Sequence, residues 1–357
     1  MGSRAPTTAE QIAAKLNLSR TTVSLVLNGR GEEHRISPRT ISRVVAAAKE
    51  ANYVPNVVAR QLAGKRSNAV GVLIATAAIA DTRMIQMMEI MASERGIRFI
   101  IGHAVGPQNR IREYLQDFRS RGVDALVSVF HNHPDYRDVV LPELARFRNV
   151  VFYERPDFNG RAPVERPCYV EPDFRAVGRL GVQHLLDIGR RRIGLVFNNL
   201  AFSYAVQRYE AYCQTLAAAN IPVDDALVWA LDRQPGLHWT DSFTNELADA
   251  AVETLVVQHK ADAIVAVNDS YAARVVAALH RRGFRVPDDV AIVGCDNLEV
   301  GSLVEPPLTT FDMELEALAR AQVDMIFKLV DQGVVPEEQR AVVIQPRLIV
   351  RESTQAC

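Results

Sequence analysis

From Ala69 onward the chain alternates short apolar runs with longer amphipathic segments, and this alternation restricts the fold more than any other feature. The run AVGVLIAT at 69–76 is apolar throughout, which is typical of a strand buried on both faces of a sheet. A helical pattern follows it, and the same order repeats almost to the end of the chain. Such repetition predicts parallel sheets covered by helices. Because one sheet of ten or more strands is unusual, we predict two doubly wound lobes.

These lobes form a predicted core over 68–357, whose long helices include 240–259 and 314–332. We assign the N-lobe to about 68–168 plus 308–335. The C-lobe takes about 169–305 plus the C-terminal strand. The sequence therefore predicts an α/β core in which the chain passes between the two lobes more than once.

The stretch TAEQIAAKLNLSRTTVSLVLN, residues 8–28, has a different pattern and predicts two short helices joined by a tight turn. Thr8 and Gln11 have the spacing of a capping box, Asn17 suits the left-handed end of the first helix, and Ser19 can cap the second. This is the spacing of a helix-turn-helix, whose second helix enters the DNA major groove by its N-terminal end. Ordinary αα-hairpins share the pattern, so it does not prove DNA binding.

A third helix is predicted after Ser37-Pro38, with Ile41, Val44, Val45 and Ala48 on its buried face. It completes an all-α head over 1–53. The linker 54–67 contains a candidate hinge helix, 57–63, which Asn56 can cap. Two turns of helix are marginal alone in water, so we expect this hinge to fold only when another surface packs on it.

Charge is divided unevenly along the 357 residues. Residues 1–66 hold 11 Lys and Arg against 4 Asp and Glu, whereas the remainder holds 30 against 38. A basic head on an acidic body indicates a polyanion-binding module attached to a body with another role. The chain has no apolar run of transmembrane length and no signal-peptide pattern. We therefore expect a cytoplasmic protein without a membrane partner.

Signatures of enzymes and metal sites are absent from the sequence. There is no GxGxxG after a strand, no P-loop and no GxSxG elbow. His131 and His133 form an HxH pair, but spacing supplies no third ligand. The four cysteines are far apart, which argues against a disulfide. We predict no catalytic residues, no cofactor and no metal.

In doubly wound sheets the ligand lies off the carboxyl ends of the strands. Mostly polar residues follow the predicted strands, which suits a polar ligand between the lobes. Strand ends lead into polar loops in any protein, so each residue is only a candidate. The pairs are 75–76, 154–155, 198–199, 232–233, 268–269 and 296–297.

Several separate segments resemble the lactose/galactose repressor family of bacterial transcription regulators. They include IAAKLNLSRTTVSLVLNG, the stretch from ISPRT to NAVGVL, ADAIVAVNDSYAARVVAALHRRGFRVPDDVAIVGCDN, and PPLTTFDM. The resemblance implies a core like that of periplasmic sugar-binding proteins. It also implies a homodimer, sometimes a tetramer, on a near-palindromic DNA operator. A small effector, often a sugar or nucleobase, binds between the lobes and changes the affinity for DNA.

For DNA, the resemblance implies that the second helix of the head and the hinge make the contacts. Arg20 and Thr21 match the positions that usually select bases, and Leu62 matches a hinge leucine that wedges into the minor groove beside Ala59. Leu25 stands where the family usually has an arginine. Thr8, Asn28 and Asn56, at the ends of these elements, join the set. The predicted DNA-binding residues are Thr8, Ser19, Arg20, Thr21, Thr22, Ser24, Leu25, Asn28, Asn56, Ala59 and Leu62.

For the effector, Arg208, Asn268 and Asp296 match the family's contacting positions, and Glu154 follows a strand that faces the same cleft. We add Ala75 and Asp232 because each follows a predicted strand. The predicted effector-binding residues are thus Ala75, Glu154, Arg208, Asp232, Asn268 and Asp296. Arginine, carboxylate and amide groups together suit the hydroxyls of a sugar.

We therefore predict an effector-responsive transcriptional regulator, more often a repressor than an activator. Two other classes remain open: a cytoplasmic solute-binding protein without gene control, and a metabolic enzyme on the same fold. The sequence leaves open the effector, the operator and whether the ligand induces or co-represses.

Overall fold

The computed structural model describes residues 8–27, 29–51, 53, 66–75, 78–104, 108–129, 132, 140, 142–156, 167–237 and 241–355. The chain divides into two compact units, Met1–Ser67 and Asn68–Cys357. The first is the head and the second is the core.

The described part of the head contains three helices, α1 (Ala9–Leu16), α2 (Arg20–Leu27) and α3 (Pro38–Glu50). Each contributes apolar side chains at helical spacing to one small core. The buried members of that core are Ile12, Ala13, Val23, Val26, Val44, Ala47 and Ala48. The prediction for α3 was wrong at one position, because Val45 is exposed and Ala47 is buried. Positions 44, 47 and 48 keep the three-and-four spacing of one helical face, whereas position 45 turns away from it.

The first lobe of the core is built on a six-stranded parallel sheet. Its strands are β1 (Ala69–Ile74), β2 (Arg98–His103), β3 (Ala125–Val129), β4 (Val150–Phe152), β5 (Cys168–Pro172) and β11 (Ala341–Ile344). They pair in the order β11-β5-β4-β3-β1-β2. The helices α4 (Ile79–Glu94), α5 (Gln108–Ser120) and α11 (Leu315–Gln332) belong to this lobe, and α11 packs against α4.

The second lobe has a four-stranded parallel sheet, in the order β7-β6-β8-β9. Its strands are β6 (Ile193–Phe197), β7 (Val228–Ala230), β8 (Ala263–Ala266) and β9 (Ala291–Val293). Its helices are α6 (Phe174–Asp187), α7 (Ser203–Ala218), α8 (Asn245–Val252), α9 (Asp269–Arg281) and α10 (Glu299–Leu303). A separate antiparallel pair joins β10 (Thr310–Asp312) to β12 (Arg347–Ile349).

Three details differ from the expectation. The strand at 168–172 and the strand at 341–344 both pair in the first sheet, although we had assigned them to the C-lobe. The helix expected over 240–259 begins at Asn245, because Thr244 caps it, and it ends in a π-helical segment, Glu253–Gln258. The predicted alternation of parallel strands and helices, with two doubly wound lobes, is otherwise confirmed.

Within the described residues, no helix is long and apolar enough to cross a membrane. The cysteines described there, Cys168, Cys213 and Cys295, are free thiols.

Candidate functional site

Helix α1 of the head begins as the sequence predicts. The amide of Gln11 donates to the hydroxyl of Thr8 at 3.2 Å, and the amide of Thr8 donates to Oε1 of Gln11 at 2.8 Å. Asn17 ends the helix with a φ of 55°. Leu18 then donates its amide to the carbonyl of Ala13, which closes the turn before α2. Thr8 therefore orients α1, and its hydroxyl is engaged in the cap.

Helix α2 presents a polar face to the solvent. Its N-terminus is capped by Ser19, whose hydroxyl accepts the amide of Thr22 at 3.0 Å and lies 2.8 Å from the Thr22 hydroxyl. Arg20, Thr21 and Ser24 are exposed, whereas Leu25 is half-buried. One face of α2 packs in the head core and the other offers a guanidinium and hydroxyls, which is the geometry needed for groove contacts.

The remaining predicted DNA-contacting residues, Asn28, Asn56, Ala59 and Leu62, lie outside the described residues, as do His131 and His133. Among the described residues, no group of three or more His, Cys, Asp or Glu side chains can hold a metal ion.

In the core, the candidate effector site begins where α6 crosses α7. A Cβ atom at Gly178 of α6 would lie 2.4 Å from the carbonyl oxygen of Arg208 in α7. Only glycine permits this approach, and the close crossing brings Phe174 at the start of α6 to the same place as Arg208. The Cζ atom of Arg208 lies 5.5 Å from the ring centroids of both Phe174 and Tyr204, within the range of cation–π attraction.

Arg208 is buried, with 7% of its surface exposed. Its Nη1 donates to the carbonyl of Val267 at 2.8 Å, and its Nη2 donates to Sγ of Cys295 at 3.2 Å. Burial opposes its charge, but Cys295, Asp296 and Tyr204 together raise its pKa. Among the described residues its Nε has no hydrogen-bond partner. An unsatisfied buried N–H is costly, so a bound acceptor would be stabilised here.

A cavity opens beside this guanidinium. It lies between the lobes, since residues of α4, α11 and the segment after β4 face residues of α6, α7 and the segment before α9. Its walls are formed by Ala78, Ala80, Asp81, Tyr153, Phe174, Tyr204, Arg208, Val267, Asn268, Asp296, Met313 and Leu315. Three predicted residues, Arg208, Asn268 and Asp296, thus meet at one cavity although 88 positions separate the first from the last.

The other three predicted effector residues do not line the cavity. Ala75 is buried in the first lobe, and its amide donates to the carbonyl of Val129. Asp232 is exposed in a 3₁₀ turn after β7. Glu154 is 2% exposed, and its Oε2 accepts hydrogen bonds from the Ser203 hydroxyl and from the amide of Asn132. Glu154 therefore links the first lobe to α7 of the second.

Burial and neighbouring carboxylates set the electrostatics of the cavity. Burial, with Asp81, Glu154 and Asp296 adding to it, raises the pKa of Tyr153 far above its usual value. Burial also raises the pKa of Tyr204, whose hydroxyl donates to Oδ1 of Asn198 at 2.6 Å. Both phenols are therefore neutral at physiological pH. They offer aromatic faces beside one guanidinium and two carboxylates.

The backbone at Asp296 and Asn297 is left-handed, with φ values of 91° and 46°. Two successive non-glycine residues in this region are uncommon and occur at functional sites. The side chain of Asn297 is held from outside the loop, because Nη2 of Arg351 donates to its Oδ1 at 2.8 Å.

Several residues that line the cavity are not among the effector-binding residues predicted from the sequence. Asp81 lies in the first turn of α4, Tyr153 directly precedes the predicted Glu154, and Tyr204 lies one helical turn before Arg208. The last relation is visible in sequence, because residues four apart share a helix face. Nothing local marks Met313 or Leu315.

Comparisons with known proteins agree with this geometry. Residues 8–56 match bacterial regulatory proteins of the lacI family, and residues 182–354 match a periplasmic binding protein-like domain. The transcriptional regulator CelR of Thermobifida fusca is 31% identical over 99% of this chain and 100% of its own length. This chain belongs to the LacI family of bacterial regulatory proteins.

Two solved structures share the fold of this LacI-family chain. A complex of the regulator CelR with cellobiose has a TM-score of 0.68 at 27% identity and covers 97% of this chain and 99% of its own. A Lac repressor dimer bound to operator and the anti-inducer ONPF has a TM-score of 0.82 at 23% identity. The match covers 99% of this chain and 100% of the Lac repressor chain. This LacI-family protein is a DNA-binding transcriptional regulator with an effector domain, so the prediction of a regulator rather than an enzyme is confirmed.

Proposed function

We propose that this regulator is a repressor that binds a near-palindromic operator as a cytoplasmic homodimer, and that a sugar bound between the core lobes sets its affinity for that operator. The observation that carries the proposal is the convergence of Arg208, Asn268 and Asp296 on one interlobe cavity. Two of these residues follow strands of the second lobe, where ligands of doubly wound sheets bind.

The cavity suits a polyhydroxylated ligand. Arg208 and Asp296 both line the cavity, where a guanidinium can donate to a hydroxyl oxygen and a carboxylate can accept from a hydroxyl. Oδ1 of Asn268 caps α9 by accepting the amide of Tyr271 at 3.0 Å, so the amide nitrogen is the end that offers donors. The rings of Phe174 and Tyr204 add apolar surface for the carbon face of a sugar. Because the CelR complex contains cellobiose, sugars are the first class to test.

Transmission to DNA rests on the contacts between the lobes. The Ser203 hydroxyl donates to Glu154, and the Ser203 amide donates to the carbonyl of Asn132 at 3.0 Å. A sugar that binds the two lobes more tightly in one relative position than in another shifts the population between those positions. We propose that this shift alters the spacing of the two hinges in the dimer, so that hinge residues 57–63 fold on DNA in only one state.

Apolar side chains on the core surface support self-association. Ile79 of α4 is 55% exposed and Leu303, the last residue of α10, is 74% exposed. Ile79 lies on a groove formed with α9 and α10. An exposed apolar residue on such a groove suits a protein partner. We propose a second copy of this chain as that partner.

A thermal-shift screen of the full chain tests the effector class. The panel contains cellobiose, other disaccharides, monosaccharides and nucleobases. A ligand at about 100 times its dissociation constant adds about 2.7 kcal/mol to the free energy of unfolding. We expect a sugar to raise the melting temperature in the wild type. Stabilisation by a nucleobase alone would overturn the sugar class.

A mobility shift on DNA upstream of the protein's own coding sequence distinguishes this function from solute binding without gene control. We expect a protected palindrome by footprinting and an affinity that falls steeply with salt, because several phosphates are neutralised. Sugar binding without any protected DNA at low salt would favour a solute-binding protein.

A further inference from the structure

A buried carboxylate beside the effector cavity connects separate segments of the second lobe. Asp269 is the first residue of α9 and follows Asn268, yet its side chain has no exposed surface. Its Oδ1 accepts the Thr310 hydroxyl at 2.6 Å, and its Oδ2 accepts the amide of Leu298 at 2.7 Å. Carboxylates often lie in the first turn of a helix. Here, however, both oxygens bind other segments, and neither satisfies α9 itself.

These contacts hold the loop that carries Asp296. The amide of Asp269 donates to the carbonyl of Cys295 at 2.9 Å, and the amide of Asn297 donates to the Thr310 hydroxyl at 3.3 Å. Asp269 therefore binds the main chain just before Asp296, and Thr310 binds the main chain at Asn297. Hydrogen bonds thus hold both ends of this left-handed pair. Such a backbone persists only where surrounding contacts determine it.

Steric contacts also restrict this carboxylate. A Cβ atom at Gly294 would lie 2.2 Å from Oδ1 of Asp269, and one at Gly301 would lie 3.2 Å from its Oδ2. Glycines on both sides of the loop thus leave just the space that the carboxylate occupies. A larger side chain at either position would displace it.

We propose that Asp269 is a positioning residue of the effector site, which holds Asp296 on its loop at a set distance from Asn268 on α9. The proposal rests on the proposed function, because Asn268 and Asp296 are its effector-binding residues. Asp269 itself does not line the cavity. Its effect on the ligand passes through the loop.

The experiment compares Asp269→Asn with a matched variant, Asp262→Asn. Asp262 also accepts two backbone amides, those of Arg191 and Arg192, but it lies at the amino ends of β6 and β8. Hydrogen exchange of the ligand-free full chain measures protection of residues 294–301. Calorimetry measures affinity for cellobiose or the sugar that the screen identifies.

We expect Asp269→Asn to raise exchange in 294–301 and to weaken sugar binding by about tenfold or more, since a buried donor loses its acceptor. Asp262→Asn should change neither quantity, although it lowers the melting temperature. If Asp269→Asn does not fold, Thr310→Val removes the hydroxyl without changing charge, and we expect smaller effects in the same direction.

A pH profile separates positioning from a merely structural role. The groups facing Asp269 are the donors Thr310 and Leu298, the Cys295 thiol, and the charges of Asp296 and Arg351. Protonated Asp269 accepts hydrogen bonds from these donors more weakly than the carboxylate does. Sugar affinity of the wild type should therefore be weaker at pH 5 than at pH 8, and Asp269→Asn should lose most of this difference.

Unchanged protection of 294–301 in Asp269→Asn would overturn the proposal whatever ligand binds. Raised exchange with unchanged sugar affinity would overturn it as well. If the wild type binds no sugar, the proposed effector class fails, and the exchange comparison still decides whether Asp269 orders the loop.

Discussion

Nη1 of Arg208 donates a 2.8 Å hydrogen bond to the carbonyl oxygen of Val267. Val267 ends the segment that leads from β8 into α9, and the next residue is Asn268. One guanidinium thus binds the main chain beside a second cavity residue, and Arg208 itself lines the same cavity. Arg208 both holds the site together and contributes a donor to it.

Replacement of Arg208 by lysine is the direct test of that double role. Lysine keeps the charge but lacks the planar fork, so one ammonium cannot serve Val267 and the ligand together. We expect sugar affinity measured by calorimetry to fall by about 100-fold, or about 2.7 kcal/mol. Operator affinity without sugar should be unchanged. Arg179→Lys, on the exposed side of α6, is the control. A fully responsive Arg208→Lys protein would remove Arg208 from the site.

Arg20 is the residue that we expect to select a base. It is exposed at the start of α2, and an arginine there can bind guanine through two acceptors. Arg20→Ala should cost about 1–3 kcal/mol of discrimination at one base pair. Anisotropy titrations on operators that differ at that pair measure the loss. The core variant Arg179→Ala should discriminate as the wild type does. Equal base preference in Arg20→Ala would contradict the assignment.

Glu154→Gln tests the contact between the lobes. In the wild type, the Ser203 hydroxyl and the Asn132 amide both donate to Oε2 of Glu154. The glutamine replaces one carboxylate oxygen by an NH2 group, which cannot accept these hydrogen bonds. We expect the ratio of operator affinities with and without sugar to shrink by about fivefold or more, because allosteric coupling is commonly of that size. The Glu154→Gln protein must still bind the sugar, because the ratio reports coupling only when the site is occupied. Ser302→Ala, which removes an exposed hydroxyl in α10, is the control. An unchanged ratio would exclude Glu154 from transmission.

Burial raises the pKa of Asp269 to about 7, against the opposing effect of Thr310 and Leu298. The pKa of this carboxyl group is higher in the folded chain than in the unfolded chain. Between these two pKa values the folded chain keeps the proton and the unfolded chain has lost it. The free energy of unfolding should therefore fall as pH rises from about 4 to about 7, and then level off. Urea unfolding of the wild type and Asp269→Asn at several pH values isolates this contribution. Parallel pH profiles for the two proteins would contradict it.

Much of the head could be predicted from sequence because its signals are local. Thr8, Asn17 and Ser19 act within one helical turn, and the structure places each as expected. The apolar character of Val45 suggests a core position, but the buried face of α3 is formed by Val44, Ala47 and Ala48. The parallel sheets were predictable for a similar reason, since strands buried on both faces read as unbroken apolar runs.

The cavity was less predictable because its walls come from distant segments. Asn268 and Asp296 are predicted both by their position after strands and by the family resemblance, and Arg208 by the resemblance alone, whereas Phe174 joins them through the α6–α7 crossing at Gly178. Glu154 has the right position in sequence, but its carboxylate is occupied by contacts to Ser203 and Asn132. The three-residue strands β10 and β12 are too short for a periodic pattern. Sheet membership of 168–172 depends on long-range pairing.

The most direct measurement of the central claim is an anisotropy titration of the full chain on its footprinted operator. It is run without sugar and with saturating sugar from the screen, for the wild type and Arg208→Lys. We predict at least a fivefold change of operator affinity in the wild type, in either direction, and a much smaller change in Arg208→Lys when the sugar concentration is about ten times the wild-type dissociation constant. Identical wild-type affinities with and without a sugar that calorimetry shows to be bound would contradict this prediction.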